Sequence, residues 1–220
     1  MNDERYAAME RLGEQLVACD RGCNGIFYNQ TKGVLPRFMV VERRDPSATG
    51  CVMVGLNPNF HMAREIAFCR ERGGTYRSVV EFFNEYKSTH AYYVRLRKFA
   101  DALSLAGSIL WTGLAKCQNV ARLQGLPPLQ TVRTCSDLYL RRELQIVPWD
   151  WLLVGVGRES YKALAYLYPY RAVLGIPHPL DLPRPISKRL NPWQELFDGP
   201  ALAPAIHEAA LVAMTTCTAR

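Results

Sequence analysis

Four cysteines carry the strongest chemical signal in the chain. Cys19 and Cys23 are separated only by Asp20-Arg21-Gly22, whereas Cys117 and Cys135 stand on either side of a loop. Four thiolates drawn from distant segments can hold an iron–sulfur cluster. A structural zinc ion also accepts four cysteines, with about two to four residues between the members of a close pair. Free cysteine packs in cores as a small hydrophobe. Spacing alone therefore leaves three readings: a cluster, a zinc ion, or core packing. Cys51 in an apolar run, Cys69 in a helical pattern and Cys217 near the end read as structural.

Two short loops hold the next candidates. Gly55-Leu56-Asn57-Pro58-Asn59 follows an apolar run, and Pro177-His178-Pro179 places a histidine between two prolines. A histidine held this way suits a donor that must meet a developing anion without reorganising. Asn57 can hold a water but is a poor base. The stretch from Leu180 to Arg189 follows the histidine and mixes Leu180 and Leu182 with Arg184, Lys188 and Arg189. Apolar wedges beside cations are what unstacking a base while gripping its phosphates requires. The plainer alternatives are a surface histidine and a solvated basic loop.

Several elements must position these groups. Residues 4 to 18 put Tyr6, Met9, Leu12, Leu16 and Val17 on a helical stripe that leads into the first cysteine pair. Phe38-Met39-Val40-Val41 could form an edge strand or hairpin arm. Cys51–Gly55 is a short apolar run of the kind buried on both faces of a parallel sheet, Ser108–Thr112 and Trp151–Gly155 read as further buried strands, and Tyr170–Leu174 as a fourth strand. Helical patterns occupy 61–72, 77–86, 90–105, 131–147, 158–167 and 201–214, with Pro148 closing the fourth. Strands alternating with helices predict an α/β fold: one three-layer α/β/α domain over residues 1–220, with a mainly parallel, four-stranded central sheet. Residues 1–35 form its N-terminal helix and cysteine loop, and 180–192 a basic, proline-rich loop.

Composition narrows the class. At 49% hydrophobic and 21% charged the chain reads as an ordinary globular protein, and no stretch approaches the ~20 apolar residues of a membrane span. The N-terminal residues lack the pattern of a secretory signal, so a cytoplasmic location is expected. There thiols stay reduced, which points some of the seven cysteines toward metal rather than disulfides. The net charge of +7 favours a polyanionic partner.

Together these motifs resemble the uracil-DNA glycosylase superfamily over nearly the whole chain, most closely its family 4, the iron–sulfur type. That family carries an N-terminal cysteine pair, a strand ending in lysine-cysteine, and a further cysteine early in the next helix. These fall here on Cys19, Cys23, Lys116-Cys117 and Cys135. The resemblance implies a [4Fe-4S] cluster on those four thiolates, DNA as the partner, a monomer, and a DNA N-glycosylase that leaves an abasic site. Gly55-Leu56-Asn57-Pro58 is similar to the Gly-(Ile/Met)-Asn-Pro motif of the mismatch-specific and single-strand-selective families, which implies that Asn57 positions the attacking water. His178-Pro179 matches the second motif, with Leu180 in place of its serine.

By the same resemblance Gly55, Leu56, Pro58, Phe60, Tyr76 and Gly113 line the base pocket, with Tyr76, which follows Gly73-Gly74, favoured over Phe60 as the ring that stacks on the flipped base. Leu180, Leu182, Arg184, Lys188 and Arg189 face DNA. Gly113 falls where the family's pyrimidine-reading asparagine is expected and leaves room there, so the expected base is uracil or a bulkier modified one, such as a modified cytosine of a viral genome. The competing expectations are a non-catalytic iron–sulfur DNA-binding protein on the same scaffold and a zinc-bearing interaction protein.

Overall fold

The computed structural model describes residues 1–25, 35–37, 39–58, 63–118 and 127–179. Helix α1 (Asp3–Val17) leads to strand β1 (Met39–Glu42), β2 (Cys51–Gly55), α2 (Ala63–Glu71), α3 (Tyr76–Phe82) and α4 (Ala91–Ala102). Then come β3 (Ile109–Gly113), α5 (Leu129–Cys135), α6 (Arg141–Ile146), β4 (Leu152–Val156), α7 (Arg158–Leu167) and β5 (Val173–Ile176). The fold is mixed α/β around a five-stranded, mostly parallel sheet in the order β1-β3-β2-β4-β5. The expected four strands are thus five: the Phe38–Val41 run, ambiguous in sequence, supplies edge strand β1 over Met39–Glu42. Among the described residues no helix is long and apolar enough to cross a membrane.

The chain divides into two compact units. The first comprises Met1–Glu42, Val54–Ser88 and Leu110–Trp149, and the second Arg43–Met53, Thr89–Ile109 and the chain from Asp150 onward.

In the first unit, Asn2 caps α1 by accepting from the Arg5 amide at 3.1 Å, and Asp3 and Glu4 complement the positive end of the helix. Met9, Leu12, Gly13 and Leu16 form the buried stripe that packs on α3 and α6. Gly13 is there for space, because a Cβ at that position would stand 2.4 Å from the Tyr76 ring. Phe68, Phe82 and Tyr86 pack ring against ring, with centroids 5.0 to 5.8 Å apart. The indole N–H of buried Trp111 finds the Glu42 carboxylate at 2.9 Å, as a buried donor must.

Two helical patterns that read as regular in sequence widen into π-helical turns. Phe83–Lys87 continues α3 and Ser136–Leu140 joins α5 to α6. From the second, the Ser136 hydroxyl donates to the carbonyl of Leu114, just past β3, at 3.1 Å. Helix α6 stops at Ile146 because Val147, preceding Pro148, is forced to extended backbone.

In the second unit, β4 and β5 pair in parallel, Leu153 opposite Val173 through Val156 opposite Ile176, with α7 as the crossover. Gly155 and Gly175 let the helix lie close, since a Cβ on either would come within 2.7 Å of Tyr161. The expected strand Tyr170–Leu174 begins later, at Val173. Tyr170 is 80% exposed on a turn closed by the Arg171 amide and the Tyr168 carbonyl, so pairing begins only after that turn.

Candidate functional site

The thiol set lies within the first unit. Cys19 follows directly on α1, and its loop docks on α5: the Thr131 hydroxyl donates to the Asn24 carbonyl at 2.8 Å, and Gly25 lies against Pro128. Cys117 comes after β3, and Cys135 closes α5. Cys19, Cys23 and Cys117 are half-buried and Cys135 is buried.

Their electrostatics tie the four together. Burial, then the neighbouring Cys19, pushes the Cys23 thiol up, against a smaller pull from Arg21. Burial pushes Cys135 up to about 12; Lys116 opposes this through its ammonium and through its amide, which donates to the sulfur, while Cys117 and Cys23 add to the rise. The Tyr139 hydroxyl bonds Cys19 and is pushed up first by burial, then by Cys19, Cys135 and Cys117. All four sulfurs thus act on one another or on one shared phenol. Cys23 and Cys135 therefore resist ionising on their own, a cost that a bound cation would offset. The donor set fits either an iron–sulfur cluster or zinc. Among the described residues, no three His, Cys, Asp or Glu side chains are arranged to close on a single ion.

Behind the thiols lies a network that sequence reasoning missed. Lys116 and Glu143 are fully buried with Nζ and Oε1 2.6 Å apart, and the Thr112 hydroxyl donates to Glu143 Oε2 at 2.5 Å. Lys116 also donates to the Thr112 hydroxyl. Burial pushes the Glu143 carboxyl up, and Lys116 and Thr112 pull it back. The available signal was Glu143 itself, an acid on the stripe of Tyr139, Leu140 and Leu144, where only a partnered charge is tolerated.

The Gly55–Pro58 loop also belongs to the first unit. The Leu114 amide donates to the Gly55 carbonyl at 2.9 Å and the Ala115 amide to the Leu56 carbonyl at 3.0 Å, so the loop is pinned to the segment that leads to Cys117. Pro58 is buried, and half-buried Asn57 donates from Nδ2 to the Pro58 carbonyl at 3.1 Å. Gly113 is buried at the end of β3. Tyr76 is placed as a core side chain: it is 6% exposed, its ring covers Gly13, and its hydroxyl donates to the Met39 carbonyl at 2.7 Å. A ring so fixed offers no face to a flipped base.

His178 is held in the second unit, two residues beyond β5. Its ring lies against that of buried Tyr92, centroids 5.3 Å apart, and Arg95 donates to the Pro179 carbonyl. Gly157, at φ +87°, adopts backbone that favours glycine and donates its amide to the Ile176 carbonyl at 2.8 Å. A Cβ there would reach 3.6 Å from that of His178. Tyr92, Arg95 and Gly157 are therefore positioning residues that the motif alone did not disclose.

Phe60, Leu180, Leu182, Arg184, Lys188 and Arg189 lie outside the described residues, as does the expected helix over 201–214. No protein-family model matches the chain, and no curated protein matches it either.

Proposed function

We propose that the chain is a DNA N-glycosylase that hydrolyses the bond between a flipped-out base and deoxyribose, leaving an abasic site, on a three-layer α/β/α scaffold. The observation that carries this reading is the gathering of Cys19, Cys23, Cys117 and Cys135 in one unit, because the resemblance to the iron–sulfur glycosylases rests on the order of those four residues. They would hold a [4Fe-4S] cluster, whose chemistry here is to join the N-terminal loop to the chain after β3 and to α5.

In the proposed reaction the base leaves the stack, at a cost of a few kcal/mol, offset by the wedge of Leu180 and Leu182 and by phosphate contacts from Arg184, Lys188 and Arg189. The C1′–N bond breaks with its electron pair going to the base. His178 donates a hydrogen bond to the departing anion, and its rigid seat against Tyr92 suits a donor that acts without reorganising. Asn57 orients the water whose oxygen bonds C1′, and the water's protons are shared between base and solvent. With Tyr76 in the core, Phe60 is the aromatic candidate for stacking. Gly113 admits uracil or a bulkier base such as a modified cytosine.

The test is incubation with DNA containing uracil, hypoxanthine, or plain or glucosylated 5-hydroxymethylcytosine, followed by detection of abasic sites. Abasic product with at least one substrate is expected, and His178→Ala lowers it about hundredfold or more with the visible absorbance of the cluster unchanged. DNA binding without abasic product on any substrate overturns the enzyme. It would leave the second reading, a non-catalytic iron–sulfur DNA-binding protein, which Gly113 favours by removing the base-reading side chain. Colourless protein containing zinc overturns the cluster.

A further inference from the structure

In the first unit two cations, Arg37 and Lys87, share the Glu65 carboxylate, and a third, Arg64, acts on Lys87 from beside them. Arg37, only 8% exposed, grips Glu65 through both carboxylate oxygens. Lys87 stands 4.0 Å from the same Glu65 Oε2 that Arg37 contacts. Arg64, the residue before Glu65, holds its guanidinium 5.0 Å above the Tyr86 ring, next to Lys87 in sequence. Tyr86 in turn donates its hydroxyl to Glu85. The π-helical turn Phe83–Lys87, closed by the Ser88 amide on the Phe83 carbonyl at 2.9 Å, ends on Lys87.

The charge balance is uneven. Glu65 already answers the Arg37 guanidinium with two bonds, so Lys87 meets the carboxylate at a distance while feeling Arg37 and Arg64 as like charges. Burial, then Arg37, hold the Lys87 ammonium down to about 8, with Glu65 opposing and Arg64 adding to the fall. A half-buried lysine beside two arginines is an unfavourable arrangement for the protein alone. It becomes favourable when an anion sits against it, because the ligand brings the negative charge the cluster lacks. The Lys87 side chain is 16% exposed and Arg64 is exposed, so an anion can reach both from solvent. A guanidinium plane and a point ammonium are complementary donors for a tetrahedral oxyanion.

We propose that Arg64 and Lys87, backed by the Arg37–Glu65 pair, form a phosphate-binding site, and that a backbone phosphate of DNA is its occupant. The site is argued from the placement of Lys87 on Glu65 and of Arg64 over Tyr86; its assignment to DNA rests on the proposed function. It would grip the nucleic acid through residues separate from the basic stretch after His178.

The experiment is amine labelling by reductive methylation at pH 8, read peptide by peptide by mass spectrometry, with exposed Lys98 as the internal reference. Inorganic phosphate at tens of millimolar is expected to slow Lys87 labelling at least threefold relative to Lys98, and a short duplex to do so at micromolar concentration. Slowing by phosphate but not by duplex keeps the site and overturns DNA as occupant. Slowing by neither overturns the proposal. Lys87→Met and Arg64→Gln supply a second measurement: each is expected to reduce the salt slope of DNA affinity by about 0.9, one phosphate contact. Unchanged slopes in both overturn the DNA assignment. Catalysis is read separately, as abasic product, so a protein that binds DNA through this site without cleaving it refutes the glycosylase and not the phosphate site.

Discussion

Lys116–Glu143 and Arg37–Glu65 are both buried ion pairs of the first unit, yet only the second keeps a further cation in touch with solvent. The first pair has no exposed atom on either side chain, and Thr112 completes it. Nothing can bind there, so its influence is exerted on its neighbours, chiefly Cys135, whose sulfur faces the Lys116 amide. The second shares its carboxylate with Lys87, a group that water and ligands can reach. Burial of both ions makes a positioning device, whereas partial exposure of one surplus cation makes a receptor.

The comparison breaks most visibly at Lys116. Lys116→Met leaves the Glu143 carboxylate buried without its cation and is expected to lower stability by about 3–5 kcal/mol, measured by denaturant unfolding. Lys116→Met combined with Glu143→Leu removes both charges and is expected to recover most of that loss. If the single substitution costs no more than the double, the pair is not the sealed device described here. A smaller effect is expected at Thr112, where valine keeps the shape but takes a hydrogen bond from Glu143, for a loss of about 1–3 kcal/mol.

The smallest effect lies in the open cluster, and it depends on pH. The folded state holds Lys87 near 8 against an ordinary value of 10.5, so between these values the unfolded chain binds more protons than the folded one. Stability contributed by this group therefore rises as pH goes from about 8 to 10.5, and Lys87→Met should flatten that rise. Solvent screening keeps it modest. Parallel pH profiles of the variant and the wild-type chain would remove Lys87 from the argument.

The central strands were legible because β2 and β4 are unbroken apolar runs and β3 is broken only by Thr112, and every residue in them is buried. The four cysteines stood out as residues of one kind in a recognisable order, and all four lie in the first unit. Tyr170 shows the limit: nothing in the run Tyr170–Leu174 marks the exposed turn that delays β5 until Val173. Tyr76 shows another, since a ring after two glycines looks available until α1 presents Gly13 to it. The Lys116–Glu143 and Arg37–Glu65 pairs were illegible for a simpler reason. Neither charge announces which distant charge it will meet, and the partners of the second are 28 residues apart.

The docking of the Cys19–Cys23 loop on α5 also sets an order of events during synthesis. Cys135 leaves the ribosome more than a hundred residues after Cys19. At ~5–20 residues per second, the first thiol waits roughly 6–23 s before the surface that receives it exists. Over that interval α1 ends in two unprotected thiols, and the chain's exposure to oxidants or stray metal ions is greatest before it is finished.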